Sequence, residues 1–204
     1  MTKYTLEIKP CECFESPREW DNLGTVVASH GKYSMSDEGE SNPYWGEIGS
    51  MIQDFIAYIY NRDCYGAYPS CDELDNENVM ERFVDNNYIY LPIYMYEHSS
   101  IALNTTGFSC KWDSGLLGYI YVSKKKIREW FSIKNITKKI RKQVLIQLVH
   151  EIEAYSNYCN GELYRYIVKD ETGEVIDDCG GFFTEENAES EGKRCIQYCI
   201  EHAL

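Results

Sequence analysis

At 204 residues, with 44% hydrophobic and 14% aromatic content, the chain is long enough to bury a real core and too apolar to be disordered. Its formal charge of −13 argues against a conventional nucleic-acid binder, which needs a cationic footprint, and favours solubility, a basic partner, or imitation of a nucleic acid's own charge. Nine cysteines with no apolar leader in MTKYTLEIKP point to reduced thiols in a cytoplasmic protein, and no stretch approaches the ~18 apolar residues of a membrane span.

Tyr4 to Ile8 alternates and reads as a first strand, stopped by Pro10. Ser16, with Pro17 and Glu19 behind it, has the form of a capping box over one helical turn at Pro17 to Trp20. Asp21-Asn22-Leu23-Gly24 is turn chemistry, and Thr25-Val26-Val27 is β-branched. Residues 34–42 are polar and acidic, the pattern of an exposed loop. From Tyr44 to Tyr60 the apolar positions Trp45, Ile48, Met51, Ile52, Phe55, Ile56 and Ile59 recur every three or four residues, which predicts an amphipathic helix broken by Gly66 and Pro69.

Residues 71–87 are strongly acidic. They have the oxygen density of a calcium loop without its ordering of ligands, so a solvated helix over 76–84 is the reading. From Tyr88 the pattern alternates Ile89, Leu91, Ile93 and Met95 with tyrosines, and Leu117 to Val122 is a second apolar run. These two, about 88–104 and 117–122, are the expected centre of the sheet. Ser123 caps a helix over KKKIREWF, and a longer one runs from Thr137 to Asn160, with Gly161 in left-handed geometry. A strand from Leu163 to Val168, a turn at 171–174, a return strand from Val175 and a helix from Thr184 to His202 close the chain. The class is α+β, a mixed or antiparallel sheet packed by amphipathic helices, in one domain over 1–204 with 161–204 as a hairpin–helix subdomain.

None of the cysteine spacings, Cys11-x-Cys13 among them, is a zinc knuckle, so no metal and no cofactor is expected. Charge is segregated along the chain. Lys124, Lys125, Lys126, Arg128, Lys134, Lys138, Lys139, Arg141 and Lys142 face only Glu129 within 124–142, a net of +8 that leaves −21 for the rest. Over a Debye length of ~8 Å such surfaces act separately. Either the basic segment packs on the chain's own acidic face, or that face is free for a cationic partner.

Two sets of site residues follow. The acidic set is Asp72, Glu73, Asp75, Glu77, Glu81 and Asp85 with Asp177, Asp178, Glu185 and Glu186, standing in for phosphates while tyrosines replace stacked bases. The catalytic set is His98, Cys110 and Asp113, with Asp21 orienting His98 or ligating a cation, the outline of a small hydrolase or metal-dependent enzyme. No nucleophile elbow supports it, and Asp113-Ser114-Gly115 is also plain turn chemistry. The first reading is therefore no enzyme. A third reading has the basic segment (Lys124, Lys125, Lys126, Arg128, Lys138, Lys139, Arg141, Lys142) touching nucleic acid.

The stretches SPREWDNLGTVV (16–27), YLPIYMYEHSSIALNTTGFSCKWDSGLLGYIYVSKKKIR (90–128), EIEAYSNYCNGELYRYIV (151–168) and DDCGGFF (177–183) resemble a family of largely uncharacterised phage, plasmid and mobile-element proteins. The chain departs from that pattern at Lys111, where proline is expected, and at Gly180, where an aromatic is usual. The resemblance implies mobile-element origin, a cytoplasmic place in a bacterial host cell, and no family-wide catalytic assignment. By analogy with small acidic proteins of such elements, it implies an anti-CRISPR or antirestriction inhibitor whose partner is a basic host protein such as a defence nuclease.

Overall fold

The computed structural model describes residues 4–11 and 15–202, so Cys13 of the Cys11-x-Cys13 pair lies outside the described residues. In chain order the elements are β1 (Thr5–Pro10), a 3-10 turn (Pro17–Glu19), β2 (Thr25–Ala28), α1 (Met51–Tyr65), a second 3-10 turn (Cys71–Glu73), α2 (Glu77–Asn87), β3 (Tyr88–Glu97), β4 (Ile101–Asn104), β5 (Ser114–Ser123), α3 (Lys124–Trp130), α4 (Lys138–Cys159), β6 (Tyr164–Lys169), β7 (Val175–Phe182) and α5 (Glu185–His202). The fold is α+β with two antiparallel sheets. Among the described residues no helix is long and apolar enough to cross a membrane. The elements form two compact units. One holds β1 with β6, β7 and α5, the other spans Arg18–Glu153, and the boundary falls inside α4.

In the Arg18–Glu153 unit the strand order is β2-β5-β3-β4. β5 is buried on both faces from Leu117 to Val122, which is why its sequence shows a continuous apolar run instead of alternation. Tyr119 and Tyr121 meet Phe55 of α1, the Phe55–Tyr119 rings stacking at 4.5 Å, in a cluster that also takes Met80 and Val84 of α2. On the opposite face Ile120 meets Leu148 of α4 across Gly24. A β-bulge between Ile93 and Tyr94 of β3 shifts the register on β5 from Gly118 to Leu116. At Gly118 a Cβ would lie 2.2 Å from the Val27 carbonyl oxygen, so only glycine lets β2 pair there.

Several boundaries differ from the sequence reading. α1 begins at Met51, not Tyr44, because the buried Asp54 carboxylate accepts from the Gly46 amide at 2.8 Å and the Ile48 amide at 3.2 Å, folding 43–49 back as turns. It runs on to Tyr65 and stops at Gly66, whose φ is +63°. β3 and β4 form a hairpin in place of one long strand, and Ser114 and Gly115 begin β5 instead of making a turn. The 34–42 segment is no free loop: Met35 and Asn42 are buried, and Ser36 and Asp37 satisfy the outer edge of β2 through Ala28 and Val26. The Ser123 cap on α3 and the left-handed Gly161 after α4 stand as expected.

One charged cluster ties this unit together. Arg18 donates from Nε to Asp37 Oδ1 at 2.9 Å and from Nη2 to Asp37 Oδ2 at 2.7 Å, and its Nη1 lies 3.3 Å from Glu151 Oε2. Both oxygens of Glu151 also accept backbone amides, Leu23 at 2.9 Å and Gly24 at 3.0 Å. The side chains of Arg18 and Glu151 are only 6% and 5% exposed. The WDNLG turn is thus held by a carboxylate from α4.

In the other unit the order is β1-β6-β7, packed by α5. Gly192 of α5 sits where a Cβ would press on Leu6 and on Tyr166. Lys169 and Lys9 flank Glu7 and pull its carboxyl down to about 2. The hairpin turns on Asp170, whose Oδ1 accepts from the Thr172 and Glu174 amides, with Gly173 at φ +87°.

Replacing Glu151 with alanine leaves the buried Leu23 and Gly24 amides without their acceptor and Arg18 with Asp37 as its remaining carboxylate in a dry site, and should cost about 3–5 kcal/mol in urea unfolding. A loss below ~1 kcal/mol, the scale of an exposed pair, would show that the cluster does not hold the turn.

Candidate functional site

The loop between β4 and β5 returns to the end of β3. Asn104 shapes its start by accepting from the Gly107 amide at 2.7 Å, and the Glu97 amide donates to the Asp113 carbonyl at 2.9 Å. Asp113 is central to what the loop gathers. Cys110 Sγ donates to its Oδ2 at 3.3 Å, and His98 Nδ1 lies 4.0 Å from its Oδ1. The thiol and the imidazole therefore share one carboxylate, whereas a Cys-His-Asp triad sets the imidazole between thiol and carboxylate. The His98 side chain is 69% exposed. Asp21 is exposed, and among the described residues no hydrogen bond or ion pair joins it to this loop.

Beside the loop opens a polar pocket of about 320 Å³, lined by His30, Glu97, Asp113 and Ser114, with the almost fully exposed Trp112 at its rim. His30 Nε2 lies 3.4 Å from Glu97 Oε2, and Lys32 Nζ lies 3.0 Å from Oε1. Lys32 holds the Glu97 carboxyl below its ordinary value. Sequence reading missed His30, because it reaches Glu97 only after β2 pairs with β5, and nothing local marks it. Glu97 is already matched by Lys32 and His30. Among the described residues no group of His, Cys, Asp and Glu is arranged to hold a metal ion. The eight described cysteines are unpaired.

The acidic residues divide by environment. In the Arg18–Glu153 unit Asp72, Glu73, Asp75, Glu77, Glu81 and Asp85 are all exposed. Their partners are neutral: Ser70 on Glu73, Gln53 on Glu77, Tyr90 on Asp85, and the Tyr60 and Tyr65 hydroxyls on Asp75, which lower its pKa. Among the described residues none of the six is in an ion pair. In the other unit Asp178 is paired with Arg165, and Asp177 accepts from Tyr166 at 2.7 Å and Cys195 at 3.2 Å. Glu185 and Glu186 lie in the first turn of α5, where the helix dipole favours them. Those four carboxylates have work inside the fold.

The basic segment is bound to carbonyls instead of carboxylates. Lys124 Nζ donates to the carbonyls of Asp85 and Asn86 at the end of α2, a favourable place for a cation. Lys126 donates to the Asn22 carbonyl, and Arg128 to those of Lys124 and Lys134. Lys125, Lys138, Lys139, Arg141 and Lys142 are exposed. Among the described residues no ion pair joins this segment to the exposed carboxylates of α2, and Lys124 is the point of closest approach, beside Asp85.

A second cluster escaped sequence reading. Glu40 accepts from Tyr58 at 2.6 Å and Tyr121 at 2.7 Å, and the Arg62 guanidinium lies over both rings. Tyr88 donates to Asp63. Tyrosine here is a core residue whose hydroxyl finds a charged partner. Burial, then the Asp63 bond, raises Tyr88 from 10.0 to about 12, and burial raises Tyr58 and Tyr121 as well.

A folded-state pKa above the unfolded one means that this stabilisation is complete below pH 10.0 and disappears as pH rises through about 12. Urea midpoints should hold level up to pH 10.0 and drop above it, and Tyr88→Phe should flatten part of the drop. A midpoint level across the whole window would contradict the assignment.

Compared with protein-family models, curated proteins and solved structures, the chain matches none.

Proposed function

We propose that this chain is a non-enzymatic inhibitor, acting in the cytoplasm of a bacterial host, that occupies a cationic groove of a defence nuclease or similar DNA-binding protein with the acidic face of α2. The observation that carries this is the run Glu77, Glu81, Asp85. These like charges repeat every four residues on one helix face, each adjacent pair opposing the helix by roughly 0.2–0.5 kcal/mol, and no lysine or arginine is ion-paired with them among the described residues. The helix dipole favours Glu77 in the first turn, but helix stability gives no such reason for Glu81 and Asp85; a positively charged partner does. Asp72, Glu73 and Asp75 extend it, and the exposed rings of Tyr65 and Tyr68 offer apolar faces in the same unit. Carboxylates take the part of phosphates and tyrosines the part of bases, so long-range attraction brings the partner in and ring contacts hold it.

Expressed in a host carrying an active restriction or CRISPR nuclease, the chain should raise plating of unmodified phage. Combining Glu77→Lys, Glu81→Lys and Asp85→Lys should abolish that protection, and affinity for the isolated nuclease should fall steeply with salt. Protection untouched by the triple change, or affinity equal at low and high salt, removes acidic mimicry.

A further inference from the structure

Where α2 ends and α3 begins, a cleft of about 300 Å³ opens, a size at the lower end of small-ligand pockets. Lys124, Lys125 and Arg128 line it, with Phe83, Asn87 and Asp63. Two of the cations are fixed in place by neutral groups. Lys124 holds two carbonyls at 2.9 and 3.0 Å, and Arg128 holds two at 3.2 Å. An ammonium has three donors and a guanidinium five, so each keeps hydrogen-bonding capacity beyond these contacts. Neither carbonyl pair neutralises charge, and among the described residues no carboxylate is ion-paired with any of the three. Asp63 is the one carboxylate in the lining, and it is engaged by Arg62 and Tyr88. Three positive groups against one negative leave the lining at +2.

We infer that this cleft binds a phosphate monoester, whose charge of roughly −2 at neutral pH balances the lining. A phosphodiester brings one negative charge per unit and leaves half of the excess uncompensated. Burial, then the neighbouring Arg141 and Arg128, lower the Lys124 pKa against the smaller opposing pull of Asp85. Phe83 supplies an apolar wall for whatever the phosphate is attached to. The cleft adjoins the C-terminal end of that acidic face, because Lys124 is anchored on the Asp85 carbonyl, so the two proposals are told apart with Glu77→Lys and Glu81→Lys alone, which lie outside the cleft lining.

The test is titration of the full chain at low ionic strength, followed by nuclear magnetic resonance, with inorganic phosphate, a nucleoside 5′-monophosphate, and an oligonucleotide lacking terminal phosphates. Phosphate and the monophosphate should bind. Lys125→Glu should weaken both by about tenfold, the scale of one hydrogen bond to a charged group. Lys139→Glu makes the same charge change on α4, outside the cleft lining, and should leave both unchanged. Absence of phosphate binding overturns the inference. Equal losses in the two variants overturn it as well, since that is diffuse attraction and not a built site. Binding of the unphosphorylated oligonucleotide alone would replace it with contact to a nucleic-acid backbone.

Discussion

Arg18, shared between Asp37 and Glu151 in a nearly dry interior, is the interaction on which the larger unit depends. Its guanidinium fork meets Asp37 with two parallel bonds, and Glu151 uses its remaining capacity on the Leu23 and Gly24 amides. Three remote segments are fixed at once: the turn before β2, the segment along the edge of β2, and the middle of α4. Apolar side chains would bury as much surface without specifying that geometry, since apolar contact is non-directional. Gly24 belongs to the same arrangement, because a Cβ there would lie 2.6 Å from both Ile120 and Leu148.

With that frame fixed, the distribution of charge becomes a property of the surface. The total of −13 conceals a cationic segment whose anchored side chains terminate on backbone carbonyls, and a helix face whose carboxylates hydrogen-bond, among the described residues, to amides and hydroxyls. Pairing across the two would have cancelled both fields at contact distance. Leaving them unpaired keeps two surfaces of opposite sign, each able to attract its own ligand.

The tyrosines explain how so polar a composition still packs. Tyr58, Tyr88, Tyr119 and Tyr121 are buried, filling the space between β5, β3 and α1. Three of them end on Glu40 or Asp63, with Arg62 set between. The result is a core whose hydroxyls end on a half-buried Glu40 and on Asp63 at the surface. Asp54 is the acidic residue that lies inside, buried with an amide from the turns ahead of α1 on each oxygen.

Local pattern determined much of the secondary structure. The alternation in 88–96 and the apolar run to Val122 give β3 and β5, the spacing in 51–60 gives most of α1, and Ser123 and Gly161 mark helix ends, because capping and periodicity depend on near neighbours. The exposed carboxylates of α2 were legible for the same reason: a helix with charges four apart shows them in sequence. What the tertiary structure decided is which distant groups meet. Glu151 reaches Leu23 across more than a hundred residues, His30 finds Glu97 through strand pairing, and Asp113 takes Cys110 and His98 on its two oxygens while Asp21 stays elsewhere. A carboxylate's partner is set by the packing of whole elements, and a linear sequence carries charge and spacing but not that packing.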